Sequence, residues 1–237
     1  MNKVYSLRSP FAMLCSPFAM LFISAIAVAC ASDPASIQTG PDAELSYDGL
    51  HKVDNSQADM AWARPDIDLS GYTKLMPVNG GVEYAQADNR GRTTRDRNRG
   101  GPFFIDDRSR EQFEALVSEV FAEELGKIER FTLVDEAGPD VLMVAGGLLN
   151  VTSYVPPETA TRSVVFLSAV GEATLVLELR DSESGAILAR SIDTRAAETI
   201  GDTFTHSNSV TNSAEVRRLL LFWARRLVEG LDGFTQP

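Results

Sequence analysis

Cysteine is nearly absent: among 237 residues only Cys15 and Cys30 occur, both in the first 30. The remaining chain has no thiol for a disulfide, a thiolate metal site or a cysteine nucleophile. Histidine is as scarce. His51 and His206 stand 155 residues apart and neither belongs to an HExxH or similar ligand spacing, so zinc and a histidine-based triad find no support. The GxSxG elbow, the GxGxxG fingerprint and the phosphate-binding GxxxxGK loop are missing too, and no cofactor is expected. Positive charge is in deficit. With 22 Lys+Arg against 33 Asp+Glu the net charge is -11, a field that repels nucleic acid, and no nucleic-acid partner is expected.

What is present begins with an export signal. MNKVYSLRSP carries Lys3 and Arg8 without an acid, and residues 11–29, FAMLCSPFAMLFISAIAVA, carry no charge. This is the basic n-region and apolar h-region of a secretory signal. Nineteen residues also approach the length of a membrane span, but Ser16, Pro17 and Ser24 interrupt the run and no basic stop-transfer cluster follows. Ala27, Val28, Ala29 and Cys30 resemble the lipobox of bacterial lipoproteins, in which the cysteine is acylated and becomes the first mature residue. Ala27 and Ala29 alone would also suit an ordinary cleavage site. Ala31 stands where enterobacterial lipoproteins retained in the inner membrane carry Asp, so the resemblance implies a periplasm-facing outer-membrane lipoprotein held by lipidated Cys30. More than one acyl chain gives stable anchoring where a single chain gives only marginal attachment. The expected organisation is signal peptide 1–29, lipidated tether 30–44 and one domain over 45–237 containing an Arg-rich loop at 89–101.

A composition of 44% hydrophobic and 23% charged residues is that of a packed domain. YTKLMPV at 72–78 and VEYAQ at 82–86 flank Asn79, Gly80 and Gly81, a pattern that predicts a hairpin with Pro77 at an edge or bulge. Phe113, Leu116, Val117, Val120, Phe121 and Ile128 recur at three- and four-residue steps and predict a helix over 107–129, with Ser109 and Gln112 as a capping box. The period then falls to two. Strands are expected at 131–135, 141–155, 172–181 and 185–195, the last two joined by a tight turn at Asp181–Gly185. Val216, Leu219, Leu220, Trp223, Leu227 and Leu231 predict a second helix over 213–231, capped by Asn212 and Glu215. The fold class expected is α+β, a mainly antiparallel sheet of about five strands with two helices packed on one face.

LSYDGL at 45–50, RPDIDLSGYTKLMPV at 64–78, FTLVDEAGPDVLMVAGGLLNV at 131–151, LELRDSESGAILARSIDTR at 177–195 and LLFWARRLVEGLD at 220–232, with the lipobox, resemble the proteobacterial lipoproteins grouped as domain of unknown function 3313. These are packing and turn patterns, and the resemblance implies no activity. NRGRTTRDRNRGG at 89–101 departs from the family pattern like an insertion.

Carboxylate pairs that could serve a hydrolase are Asp66 with Asp68, Asp106 with Asp107, Asp135 with Glu136, and Glu178 with Asp181, each equally suited to a turn, cap or solvated strand face. The loop at 199–212 brings Asp202, His206 and Ser207 close in sequence. Arg90, Arg92, Arg95, Arg97 and Arg99 are five arginines within ten residues, able to grasp phosphate or carboxylate bidentately or to remain a solvated loop. The reading is a non-catalytic binding or accessory module of the cell envelope, contacting the membrane through Cys30 and either an envelope protein or anionic lipid heads. The alternative is an envelope hydrolase with an unrecognised carboxylate or Ser/His site.

Overall fold

The computed structural model describes residues 33–86, 102–156, 165–199 and 204–233. Four long strands lie side by side in the fold: β4 (Lys74–Tyr84), β6 (Val141–Ser153), β8 (Ala169–Asp181) and β9 (Ile187–Glu198). Shorter strands extend this set: β1 (Ser36–Ile37), β2 (His51–Asp54), β3 (Met60–Ala63) and β5 (Thr132–Leu133). The main sheet has eight strands in the order β1-β2-β3-β9-β8-β6-β4-β5, and β7 (Phe166–Leu167) with β10 (Thr205–His206) makes a separate two-stranded ribbon. The expectation of about five strands is therefore corrected. HKVD and MAWA are too short and mixed to show a period; MAWA becomes a strand through pairing with distant β9, and HKVD through pairing with β3 and β1.

A second correction concerns the 72–86 hairpin. It is one continuous strand, β4, parallel to both β5 and β6. Asn79-Gly80-Gly81 does not reverse the chain; it forms an irregularity between Asn79 and Val82 in the ladder to β6. The Asn79 side chain accepts from the Gly81 N–H at 2.8 Å, and Gly81 has φ +87°. Gly80 packs so closely that a Cβ there would lie 2.9 Å from the Gly146 carbonyl oxygen. Because β4 and β6 are parallel, the connection between them must cross over, and it contains helix α1 (Asp107–Leu125).

α1 begins where Asp106, not Ser109, accepts a backbone hydrogen bond; the donor is the Ser109 N–H at 2.7 Å. Helix α2 (Ser209–Asp232) starts earlier than its apolar stripe suggests. Asn208 accepts from the Val210 and Thr211 N–H groups at 3.0 Å, and the Thr211 hydroxyl accepts from the Asn208 N–H at 3.2 Å, closing a capping box four residues before Asn212. The Asp181–Gly185 turn forms with Gly185 at φ +68°. Part of the stretch read as a tether is paired: Ser36 and Ile37 face Asp54 and Val53 in β2.

Both helices pack with β6 and β8. Val120 of α1 and Leu220, Trp223 and Ala224 of α2 close over Leu148, Val151, Ala173 and Leu175. A second cluster joins Leu125 and Leu231 to Leu75, Leu142 and Val144. The α2 arginines mostly bridge elements. Arg217 reaches Glu119 at 2.8 Å and Glu123 at 3.3 Å on α1, while buried Glu124 receives Lys127 at 2.8 Å and faces Arg225 at 3.6 Å.

Candidate functional site

The residues nominated for hydrolysis serve local structure. Ser207 Oγ pairs with the Asn212 side-chain amide, and the His206 ring packs edge-on against Phe166 at 5.9 Å; Asp202 lies outside the described residues. A general acid needs a pKa raised toward neutrality. Several of the candidate carboxyls move the other way. The Ser109 N–H holds Asp106 low, the Ser70 N–H holds Asp68 low, and the Ser184 hydroxyl does so for Asp181. Burial pushes Glu178 up, but the Arg190 and Arg180 guanidinium groups outweigh it and leave its pKa below the ordinary glutamate value. Among the described residues, no group of three or more His, Cys, Asp or Glu side chains is placed to hold a metal ion.

Arg190 is the centre of a polar knot on the helix-free face. Its Nε donates to Glu178 at 2.7 Å, and its terminal nitrogens reach Asp48 at 2.7 and 3.1 Å and the Tyr47 hydroxyl at 3.1 Å. Glu178 also receives Arg180. Burial works against the Arg190 cation, yet its two carboxylate partners raise its pKa above the ordinary arginine value. The knot gives the 45–50 segment its role: it clamps that turn onto β8 and β9.

The helix-bearing face carries a different feature. On β3 and β9 the positions facing α2 are small. Ala61 opposes Ser191 and Ala63 opposes Ala189, and these continue the rows of Leu177 and Leu179 on β8. A groove of about 510 Å³ runs between this floor and the Trp223, Leu227 and Leu231 side of α2. At its wall the buried Asp193 carboxylate accepts from Trp223 Nε1 at 2.7 Å, Arg195 Nε at 2.6 Å and the Asp59 N–H at 3.3 Å. An apolar cleft of this size with few polar groups is a usual form of binding site. A smaller recess of about 300 Å³ opens between the first turns of the two helices, bordered by Ser109, Gln112, Ser209 and Asn212 above Val151 and Val170.

Residues 42–227 match the family described as Protein of unknown function (DUF3313). The chain belongs to that family. No curated protein matches the sequence. Among solved structures, a Xanthomonas campestris protein, XCC0632 of family DUF330, is 14% identical, covering 71% of this chain and 88% of its own with a TM-score of 0.39. A candidate lipoprotein from Caulobacter crescentus is 13% identical over 71% of this chain and 98% of its own, TM-score 0.33. The PelC dodecamer from Paraburkholderia phytofirmans is 9% identical over 68% of this chain and 89% of its own, TM-score 0.30.

The DUF3313 span holds both ends of each polar cluster, Asp48 with Arg190 and Asp193 with Trp223. Cys30 falls before it, and Cys30 and Arg90, Arg92, Arg95, Arg97 and Arg99 lie outside the described residues. Sequence reasoning missed the groove and Asp193. The available signals were the alanines of MAWA on one face of β3 and an acid, Asp193, on the apolar side of β9.

Proposed function

We propose that this DUF3313 chain is an envelope lipoprotein, anchored in the outer membrane through Cys30 and facing the periplasm, whose domain is a non-catalytic binding module. The groove between α2 and the β3–β9 floor is the observation that carries the reading. It is mostly apolar and large enough for a ligand or a partner's side chains. The export signal and the small residues before Cys30 support the location. The run Arg90–Arg99 adds a second contact, with anionic lipid heads or an acidic envelope protein.

Anchoring is tested by Cys30→Ala, which is expected to abolish lipoprotein processing and labelling by radiolabelled fatty acid; labelling that persists refutes it. Binding is tested by placing a thiol in the groove, Ala189→Cys, and a control thiol in the exposed β8–β9 turn, Glu183→Cys. A thiol-attached photocrosslinker in intact cells is expected to give a discrete adduct from position 189 and none from 183. Identical patterns from the two sites would refute the groove as the binding surface.

A further inference from the structure

We infer that the end of the domain formed by the helix N-termini, the β7–β10 ribbon and Phe104 is a membrane-contacting face that rests on a bilayer containing anionic phospholipid. This builds on the lipid-anchored reading above and adds an orientation to it.

Strand polarity brings the elements together. β4 ends at Tyr84 beside Val151, Phe103 bridges to Ser153 at the end of β6, Ser153 pairs with Gly171 near the start of β8, and Ala169 pairs with Glu198 at the end of β9. The same recess is bordered by the first turns of both helices. Every exposed phenylalanine among the described residues belongs to this end: Phe104 at 53% exposure, Phe166 at 56% and Phe204 at 73%. Val210, in the first turn of α2, adds 77%. The buried and half-buried phenylalanines, such as Phe103, Phe113 and Phe131, lie in the core or against it. An apolar group of this kind is costly in water and is stabilised when it enters a bilayer by about 5–10 Å, to the headgroup boundary.

Cation–aromatic stacking and chain direction add to this. Arg110 stacks over the Tyr84 and Phe104 rings, at 4.6 and 5.5 Å, and Arg108 is exposed in the first turn of α1. These cations sit among the exposed carboxylates Asp106, Asp107 and Glu111, so the exposed aromatic rings, which suit the headgroup boundary, carry the contact. The described flanks of the Arg90–Arg99 run, Gln86 and Pro102, both belong to this end. The chain before β1 heads toward this end from a level midway along β9. Ser36 faces Asp54, β2 is antiparallel to β3, and Met60 faces Ile192, so the backbone preceding Ser36 runs toward the end at which β9 finishes. Cys30 precedes Asp33 by three residues, a reach of about 10 Å. So short a link favours the face toward which the chain departs.

The test uses the full chain as isolated from cells, reconstituted with vesicles of phosphatidylglycerol and phosphatidylcholine bearing brominated acyl chains. Phe204→Trp and Phe166→Trp place reporters on the face, and Glu183→Trp places one on the β8–β9 turn at the opposite end; the parent contributes Trp62 and Trp223. Emission at 204 and 166 is expected to be lost to brominated lipid well beyond the parent, with no added loss at 183. Exposed positions tolerate the change, and matched thermal unfolding of each variant verifies this. No added quenching at 204 and 166 would overturn the inference, as would equal quenching at 183, and the face would then meet protein or solvent. Fatty-acid labelling of the same samples reads the anchor separately: labelled protein without quenching at 204 refutes the orientation alone, and quenching at 204 in unlabelled protein upholds the face while refuting the anchor.

Discussion

Under the helices, β6 and β8 present Leu142, Val144, Leu148 and Leu175, all buried, whereas the adjoining β9 and β3 present Ala189, Ser191, Ala61 and Ala63 on the same face. The first region is held by close packing between helix and sheet. The second, which α2 covers only along one side, reduces its apolar exposure with small side chains and is fixed by polar clusters, Arg190 with Asp48 and Glu178 on one face and Asp193 with Trp223 on the other. A wing built in this way keeps its strands in register while leaving room above them. The lesson is that one sheet face can serve as core at one side and as a receptive surface at the other.

Trp223 belongs to both regions, so its removal has the largest expected effect. Trp223→Ala is expected to cost about 3–5 kcal/mol, the range for a large buried aromatic, and to leave Asp193 without one of its donors. Denaturant titration measures it; a loss below about 1 kcal/mol would place this residue outside the core and remove the contrast. Arg190→Met comes next. Stranding a buried carboxylate pair costs about 3–5 kcal/mol, and partial exposure of Asp48 and Glu178 brings the expected value to the lower end. The same variant changes the acid response. The Ser46 hydroxyl first and Arg190 second hold the Asp48 pKa low, and against burial Arg190 and Arg180 hold Glu178 low, so the folded state binds fewer protons. The part due to Arg190 is present above the unfolded carboxylate range and lost as pH falls through the folded values. Below about pH 4 the parent should therefore lose stability more steeply than Arg190→Met, as read by melting temperature against pH.

Two alanine enlargements sharpen the comparison further. Ala224→Leu adds volume where the helix has no exposed surface and is expected to cost about 1–3 kcal/mol. Ala189→Leu adds the same atoms into the groove and should stay within about 0.5 kcal/mol of the parent. Equal costs would mean that the groove is closed core. The smallest effect is expected from replacing Arg90, Arg92, Arg95, Arg97 and Arg99 together by Ser. Thermal stability should be unchanged, while sedimentation with phosphatidylglycerol vesicles at low salt should fall, by up to about 1 kcal/mol of binding per arginine near the surface. Equal sedimentation of the two proteins would remove the arginines from any lipid contact.

How much of this was legible follows from the range of each interaction. α1, α2, β6, β8 and β9 announce themselves through period, because their apolar faces are long and continuous. β2 and β3 do not, since four residues carry little period and their identity as strands depends on partners such as Arg190, opposite Trp62 and 128 residues later. Asn79-Gly80-Gly81 misleads for a different reason. The left-handed backbone that serves a hairpin turn serves a bulge equally well, and the choice is made by the Gly146 carbonyl approaching Gly80 across the ladder. The groove could not be read, because an alanine in a strand signals nothing until the height of the covering layer is known.

The pairing of β3 with β9 also governs timing. Thr194 donates its N–H to Asp59 across 135 residues of chain, and β1–β3 join the main sheet through β9. However the chain is delivered, the β1–β3 segment emerges amino-terminus first and waits for β9. During that interval its strand edges are open to other chains, and any chain that stops short of β9 would leave them open permanently.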